Sequence, residues 1–115
     1  MHLIDTMQLK FIHTIMRALL DDIEIMFGRQ VITSLSRMGD PGVHGTLPLR
    51  GTDLRARRII DAKRKIKWIN KYWRYDPDRP KLQVADGHGK GSNYHIHLQV
   101  HDNTEEKDGF EKRYI

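Results

Sequence analysis

The segment Tyr94-His95-Ile96-His97-Leu98-Gln99-Val100 alternates apolar and polar residues, which is the pattern of a β-strand with one buried face. The buried face would carry Tyr94, Ile96, Leu98 and Val100, and the open face His95, His97 and Gln99. Because residues two apart on a strand project side by side, His95 and His97 would aim two imidazoles at one point. Residues 81–86 have the composition of a preceding strand and the glycine-rich residues 87–91 that of a connection, so the sequence predicts a hairpin.

Two apolar stripes with helical spacing precede this region in the sequence. Apolar residues recur every three or four positions over about residues 5–27, ending at Gly28, and again over about residues 53–75, where Thr52 or Asp53 would cap the helix. The β-branched run 30–35 predicts a further strand. The expected fold is therefore α+β, with an antiparallel sheet built partly from strands near 30–35, 81–86 and 93–100 and both long helices packed on one side of it.

Length and composition narrow the class of protein. A chain of 115 residues predicts a single domain spanning residues 1–115. It has no cysteine, which excludes disulfide frameworks and thiolate metal sites, so a metal ion would need His, Asp or Glu ligands. Charged residues such as Asp5, Lys10 and Arg17 interrupt the apolar N-terminal segment, which argues against a signal peptide or a membrane span. We therefore expect synthesis in the cytoplasm, with any action on the cell wall requiring release by another factor.

Two further residues could complete a metal site with the paired histidines. His44 and Asp53 bracket a loop between the predicted strand 30–35 and the second predicted helix. A catalytic zinc ion takes about three nitrogen or oxygen ligands from the protein and keeps one position open for water. His44, Asp53 and one histidine of the pair would supply that set.

Four short segments also carry a resemblance to a known family. They are Ile32-Thr33-Ser34-Leu35-Ser36-Arg37, Val43-His44-Gly45, Arg50-Gly51-Thr52-Asp53-Leu54-Arg55 and Tyr94-His95-Ile96-His97. In order and approximate spacing they resemble the zinc-dependent D-Ala-D-Ala peptidases and L-alanyl-D-glutamate endopeptidases of bacterial walls and phage lysins, which share their fold with the hedgehog signalling domain. The resemblance covers residues 30 to 100.

The resemblance implies a role for individual residues. Zinc would be held by His44, Asp53 and His97, with His95 beside the ion to steady the site or the transition state. Arg37 would face the carbonyl oxygen of the scissile amide and stabilise its developing negative charge. The activity implied is that of a hydrolase, a metallopeptidase that cleaves the peptide stems of peptidoglycan as an endolysin or a carboxypeptidase does.

The general base is where this sequence departs from the family pattern. The family usually has a carboxylate a few residues before the last zinc-binding histidine, and here Gly91, Ser92, Asn93 and Tyr94 occupy those positions. The interval from His44 to Asp53 is also longer than usual. Asp86, across the predicted turn, is the nearest acidic candidate for the base, and His88 is the second.

A dense group of basic residues in the second predicted helix allows functions other than that of a peptidase. Nine of the 20 lysines and arginines fall between residues 55 and 74: Arg55, Arg57, Arg58, Lys63, Arg64, Lys65, Lys67, Lys71 and Arg74. Such a face is either solvated or attracts an anionic polymer, whether a wall polymer, lipid headgroups or nucleic acid. The leading hypothesis is a zinc peptidase acting on peptidoglycan. The alternatives are a nucleic-acid-binding protein that uses the helix 53–75, and a catalytically silent zinc-binding module.

Overall fold

The computed structural model describes residues 13–36, 50–56 and 58–107 of the chain. The described residues contain the α-helices α1 (Thr14–Phe27) and α2 (Ile59–Tyr72). The strands are β1 (Ile32–Ser36), β2 (Gly51–Arg55), β3 (Trp73–Arg74), β4 (Ala85–His88), β5 (His95–Gln99) and β6 (Glu105–Glu106). β1, β2, β5 and β4 form an antiparallel sheet in that order, and β3 pairs with β6. Two helices with an antiparallel sheet confirm the prediction of an α+β fold.

Strand β5 lies inside the sheet and pairs on both sides. Its Ile96 and Leu98 are fully buried, whereas His95, His97 and Gln99 are half-buried on the opposite face. The alternation predicted for residues 94–100 is confirmed. One face of the sheet therefore belongs to the core, and the other presents polar side chains.

Both helices contribute to a single hydrophobic core against the apolar face of the sheet. α1 buries Met16, Leu19 and Ile23, and α2 buries Ala62 and Ile69. α1 ends as predicted at Gly28, whose φ of 84° lies in the left-handed region and whose N–H donates to the Glu24 carbonyl. The predicted start of this helix, residues 5–12, lies outside the described residues.

The prediction of a helix over 53–75 was wrong at both ends. Residues 51–55 form strand β2, which pairs with β1 and with β5, and the helix begins only at Ile59. Thr52 and Leu54 are buried while Asp53 and Arg55 face the other way, so this segment follows the two-residue period of a strand. At the other end, Trp73 and Arg74 leave the helix to pair with β6.

The predicted hairpin is present with different boundaries. Its first strand runs over 85–88 instead of 81–86, so Gly87 and His88 belong to the strand and not to the turn. Leu82, assigned to the strand, is exposed outside the sheet. Because the strand extends to His88, this residue lies directly across from His95 of β5.

Across the described ranges, the helices are too short or too polar to cross a bilayer.

A buried hydrogen bond joins α1 to the end of α2. The indole Nε1 of Trp73 donates to Asp22 Oδ2 over 2.8 Å, and both residues are almost fully buried. A carboxylate at this depth needs such a donor, because desolvation without a partner is costly. Trp73 is a core residue and its indole also fixes the position of α1.

We expect Asp22→Ala to lower the free energy of unfolding by about 1–3 kcal/mol, because the Trp73 indole N–H would remain buried without this acceptor. Urea denaturation followed by tryptophan fluorescence measures the change. Asp21→Ala, at the exposed neighbouring position, is the matched control and should change the stability by less than about 0.5 kcal/mol. Equal effects of the two substitutions would contradict the role given to the hydrogen bond.

Candidate active site

The polar face of the sheet gathers five histidine and aspartate residues from three adjacent strands. β5 contributes His95 and His97, β2 contributes Asp53, and β4 contributes Asp86 and His88. Asp53 and Asp86 both lie level with His97, one on each side, and His88 lies level with His95. We call these five residues the His/Asp cluster.

The closest contact in the cluster joins Asp53 to His97. The Nδ1 of His97 lies 2.8 Å from Asp53 Oδ1, and the two side chains are only 17% and 27% exposed. An ionised carboxylate only accepts hydrogen bonds, so a neutral His97 ring donates from Nδ1 and keeps the lone pair on Nε2.

His95 is held in the same tautomer by a different partner. Its Nδ1 donates to the backbone carbonyl of Asn93 over 3.1 Å, because a carbonyl oxygen can only accept. Its Nε2, which keeps a lone pair in the neutral ring, lies 3.9 Å from Asp53 Oδ1. The rings of both histidines of β5 therefore lie within 4 Å of the same carboxylate, that of Asp53.

His88 and Asp86 form the more exposed part of the cluster. Their closest atoms, Nε2 and Oδ2, are 3.5 Å apart, and the side chains are 51% and 64% exposed. The His88 ring stacks on that of His95 at a centroid distance of 5.8 Å and meets the His97 ring edge to face at 5.3 Å. Asp86 and His88 therefore lie on the solvent side of His95 and His97.

A complete metal site is not formed within the described residues. No group of three or more His, Asp or Glu side chains in residues 13–36, 50–56 and 58–107 is arranged to hold a metal ion. Of the residues predicted for the site, the structure brings together Asp53, Asp86, His95 and His97. The predicted ligand His44 and the predicted catalytic residue Arg37 lie outside the described residues.

For two residues of this face, the sequence analysis predicted a position outside the sheet. His88 was assigned to a turn, although Asp86 and His88 have the same two-residue spacing as His95 and His97. Arg55 was assigned to the basic helix, although it lies level with His95 on β2. The alternation of Gly51-Thr52-Asp53-Leu54-Arg55 is the signal that would have placed it on the sheet.

The amide of Asn70 holds β4, and with it two of the five residues of the cluster, against α2. Asn70 Nδ2 donates to the Ala85 carbonyl over 2.9 Å, and the Ala85 N–H donates to Asn70 Oδ1 over 3.0 Å. Since β4 is the last strand on this side of the sheet, the amide occupies the position of a further strand. Asp86 follows Ala85 directly, so this double hydrogen bond also positions the carboxylate predicted as the base.

The aromatic residues among the basic residues of α2 are largely buried. Tyr72 and Trp73 are in the core, and the Trp68 ring packs between Phe27 and Tyr72 at centroid distances of 5.5 and 5.1 Å. Lys65 lies on the same side of the helix, where its Nζ donates to Gln30 Oε1 over 3.1 Å and burial lowers the pKa of its ammonium group. These rings are poorly placed to stack on nucleic-acid bases.

Comparison of the chain with protein-family models, with characterised proteins and with solved structures gave no match.

We expect Asn70→Ala to accelerate amide exchange at Ala85 and to lower the free energy of unfolding by about 1–3 kcal/mol, because two backbone groups of β4 lose their partners. Hydrogen exchange resolved by residue measures the effect. Asn93→Ala, at an exposed asparagine, should leave exchange at Ala85 within about twofold of the parent. Unchanged exchange at Ala85 in Asn70→Ala would show that the amide does not anchor the strand.

Proposed function

We propose that this protein is a zinc-dependent peptidase that hydrolyses the stem peptides of peptidoglycan, with a fold related to that of the D-Ala-D-Ala peptidases. The observation that carries the proposal is the contact between Asp53 and His97. These residues lie 44 positions apart in the sequence, belong to two of the family-like segments and meet at 2.8 Å. His95 and Asp86 stand next to them, as a hydrolytic site of this kind requires.

The donor atoms of the cluster suit a zinc ion. Zinc binds imidazole nitrogen and carboxylate oxygen, and a catalytic site uses about three such ligands. Asp53 and His97 would be two of them, in exchange for the hydrogen bond that they make with each other, and we assign the third to His44. Among the described residues the cluster is open on the side of Asp86 and His88, which leaves access for a peptide.

Each residue of the cluster has a chemical task in this proposal. When bound, zinc polarises the scissile carbonyl and lowers the pKa of a water molecule to near 7. Asp86 takes a proton from the attacking water and returns it to the leaving amine, so the cleaved bond yields a carboxylate and an amine. His95, with its Nδ1 fixed by Asn93, stabilises charge beside the reacting carbonyl, and Arg37 carries the charge of the oxyanion.

We place the substrate of this protein in the cell wall, which the protein would reach after synthesis in the cytoplasm and release by another factor. The basic residues of α2 would keep the protein near an anionic wall polymer.

Elemental analysis of the purified protein should find about one zinc ion per chain, and His97→Ala should lose most of it, because one of the proposed ligands is removed. His101→Ala replaces a histidine outside the cluster and is the matched control, which should keep the metal. Absence of zinc from the parent after incubation with the ion would overturn the peptidase proposal. Equal zinc in the His97 and His101 variants would overturn the ligand assignment.

Asp86→Asn should keep zinc and lose hydrolysis of muropeptides by a factor of about 100 or more, since a general base contributes about 10²–10⁴ to the rate. The rate is measured by chromatography of the cleaved fragments. Asp78→Asn, at an exposed aspartate away from the cluster, should cleave like the parent. Full activity of Asp86→Asn would exclude Asp86 as the base and direct the same test to His88→Gln.

The two measurements also separate the peptidase from its alternatives. Zinc bound at the expected ratio with no hydrolysis by the parent would favour a silent zinc-binding module. Absence of zinc together with salt-dependent binding of oligonucleotides would favour a nucleic-acid-binding protein.

A further inference from the structure

A groove runs between α2 and strand β4, next to the His/Asp cluster. It has a volume of about 530 Å³. Lys63, Lys67 and Lys71 form one side of it, and Asp86, Gly87 and Tyr94 form the other. We call it the lysine groove.

The three lysines form one oblique row along the helix. They are spaced four residues apart, which places them on one face with a rise of about 6 Å between neighbours. All three are exposed, and Asp61 is the one acidic residue of α2. The row is therefore a strongly cationic edge about 12 Å long.

The groove is continuous with the cluster through Asp86. Asp86 is one of the residues that line the groove, and its carboxylate lies 3.5 Å from His88. A chain bound along the lysines would thus pass directly in front of the proposed general base. This continuity distinguishes the groove from the other cationic surfaces of the described residues.

Gly87 and Tyr94 shape the wall opposite the lysines. A Cβ at position 87 would overlap the hydroxyl of Tyr94, so the absence of a side chain lets the tyrosine lie against the strand. Gly87 belongs to β4, the outermost strand at one edge of the sheet. The groove wall opposite the lysines is therefore formed largely by the backbone of β4 and by the ring of Tyr94. Such a wall suits an extended chain that lies alongside it.

We propose that the lysine groove binds the acidic segment of a peptide substrate and guides it to Asp86. The proposal rests on the peptidase function proposed above, which makes the substrate a peptide. In an extended peptide, alternate side chains are about 6.6–6.8 Å apart, which is close to the spacing of the lysines. Carboxylates at alternate positions would therefore meet successive ammonium groups.

A peptide fits this groove better than a nucleic acid does. Binding of single strands depends on aromatic faces on which bases stack. On α2, Tyr72 is buried and the Trp68 ring is packed against Phe27 and Tyr72. Tyr94 lies against Gly87 and is half-buried. The groove thus offers charge and hydrogen-bonding groups with little stacking surface.

Fluorescence anisotropy can test the groove with a labelled peptide of about six residues in which glutamate alternates with alanine. The parent should bind this peptide in a salt-dependent way and should bind the glutamine analogue at least about tenfold more weakly. Lys63→Gln/Lys67→Gln should weaken binding of the acidic peptide about tenfold, since two ion pairs are lost. Arg29→Gln/Lys90→Gln removes the same charge from exposed positions outside the groove and should change binding by less than about twofold.

Equal weakening by the two double variants would overturn the proposal, because it would show a general attraction to a basic protein. Tighter binding of a single-stranded oligothymidylate of equal charge, with the same dependence on Lys63 and Lys67, would overturn it in favour of a nucleic-acid surface. The assay needs neither zinc nor hydrolysis. Zinc-dependent cleavage by a protein that does not bind the acidic peptide in the groove would therefore contradict the groove alone. Binding of the acidic peptide by a protein that takes up no zinc and cleaves no muropeptide would contradict the peptidase alone.

Discussion

The structure depends on one geometrical constraint, the two-residue period of β5. Successive side chains of a strand point to opposite faces. In β5, Ile96 and Leu98 are therefore buried in the core, and His95 and His97 lie on the polar face of the sheet. A slip of one residue in pairing would exchange the two sets and would place imidazoles in the core. The packing energy of the core thus also fixes the register in which Asp53 and Asp86 meet His97.

The fold class and the faces of β5 were predictable because each rests on a local pattern. The alternation over 94–100 and the helical stripe ending at Gly28 need no knowledge of distant residues. The segment 51–55 was harder, because its Thr52 and Asp53 are also good helix caps and the residues that follow do form a helix. Its assignment as a strand depends on pairing with both β1 and β5, and those contacts are made by residues far away in the sequence.

The candidate site was predictable to the same extent. Asp53, His95 and His97 could be grouped from their spacing and from the resemblance to a zinc peptidase family, and the structure places them together. The role of His88 in the cluster depends on where β4 begins, and glycines at 87 and 89 favour a turn when only local sequence is considered. The row of lysines along α2 is visible in the sequence, but its position beside Asp86 follows from the packing of the helix on β4.

The double hydrogen bond between Asn70 and Ala85 has a consequence for association between copies of the chain. The outermost strand of a sheet presents backbone groups that can recruit a strand from another molecule, and proteins cover such edges to remain separate. Here a single amide engages both backbone groups of Ala85. α2 thereby covers the edge of the sheet at Ala85, directly before Asp86, so the backbone groups of Ala85 are not available for pairing with a strand of a neighbouring molecule.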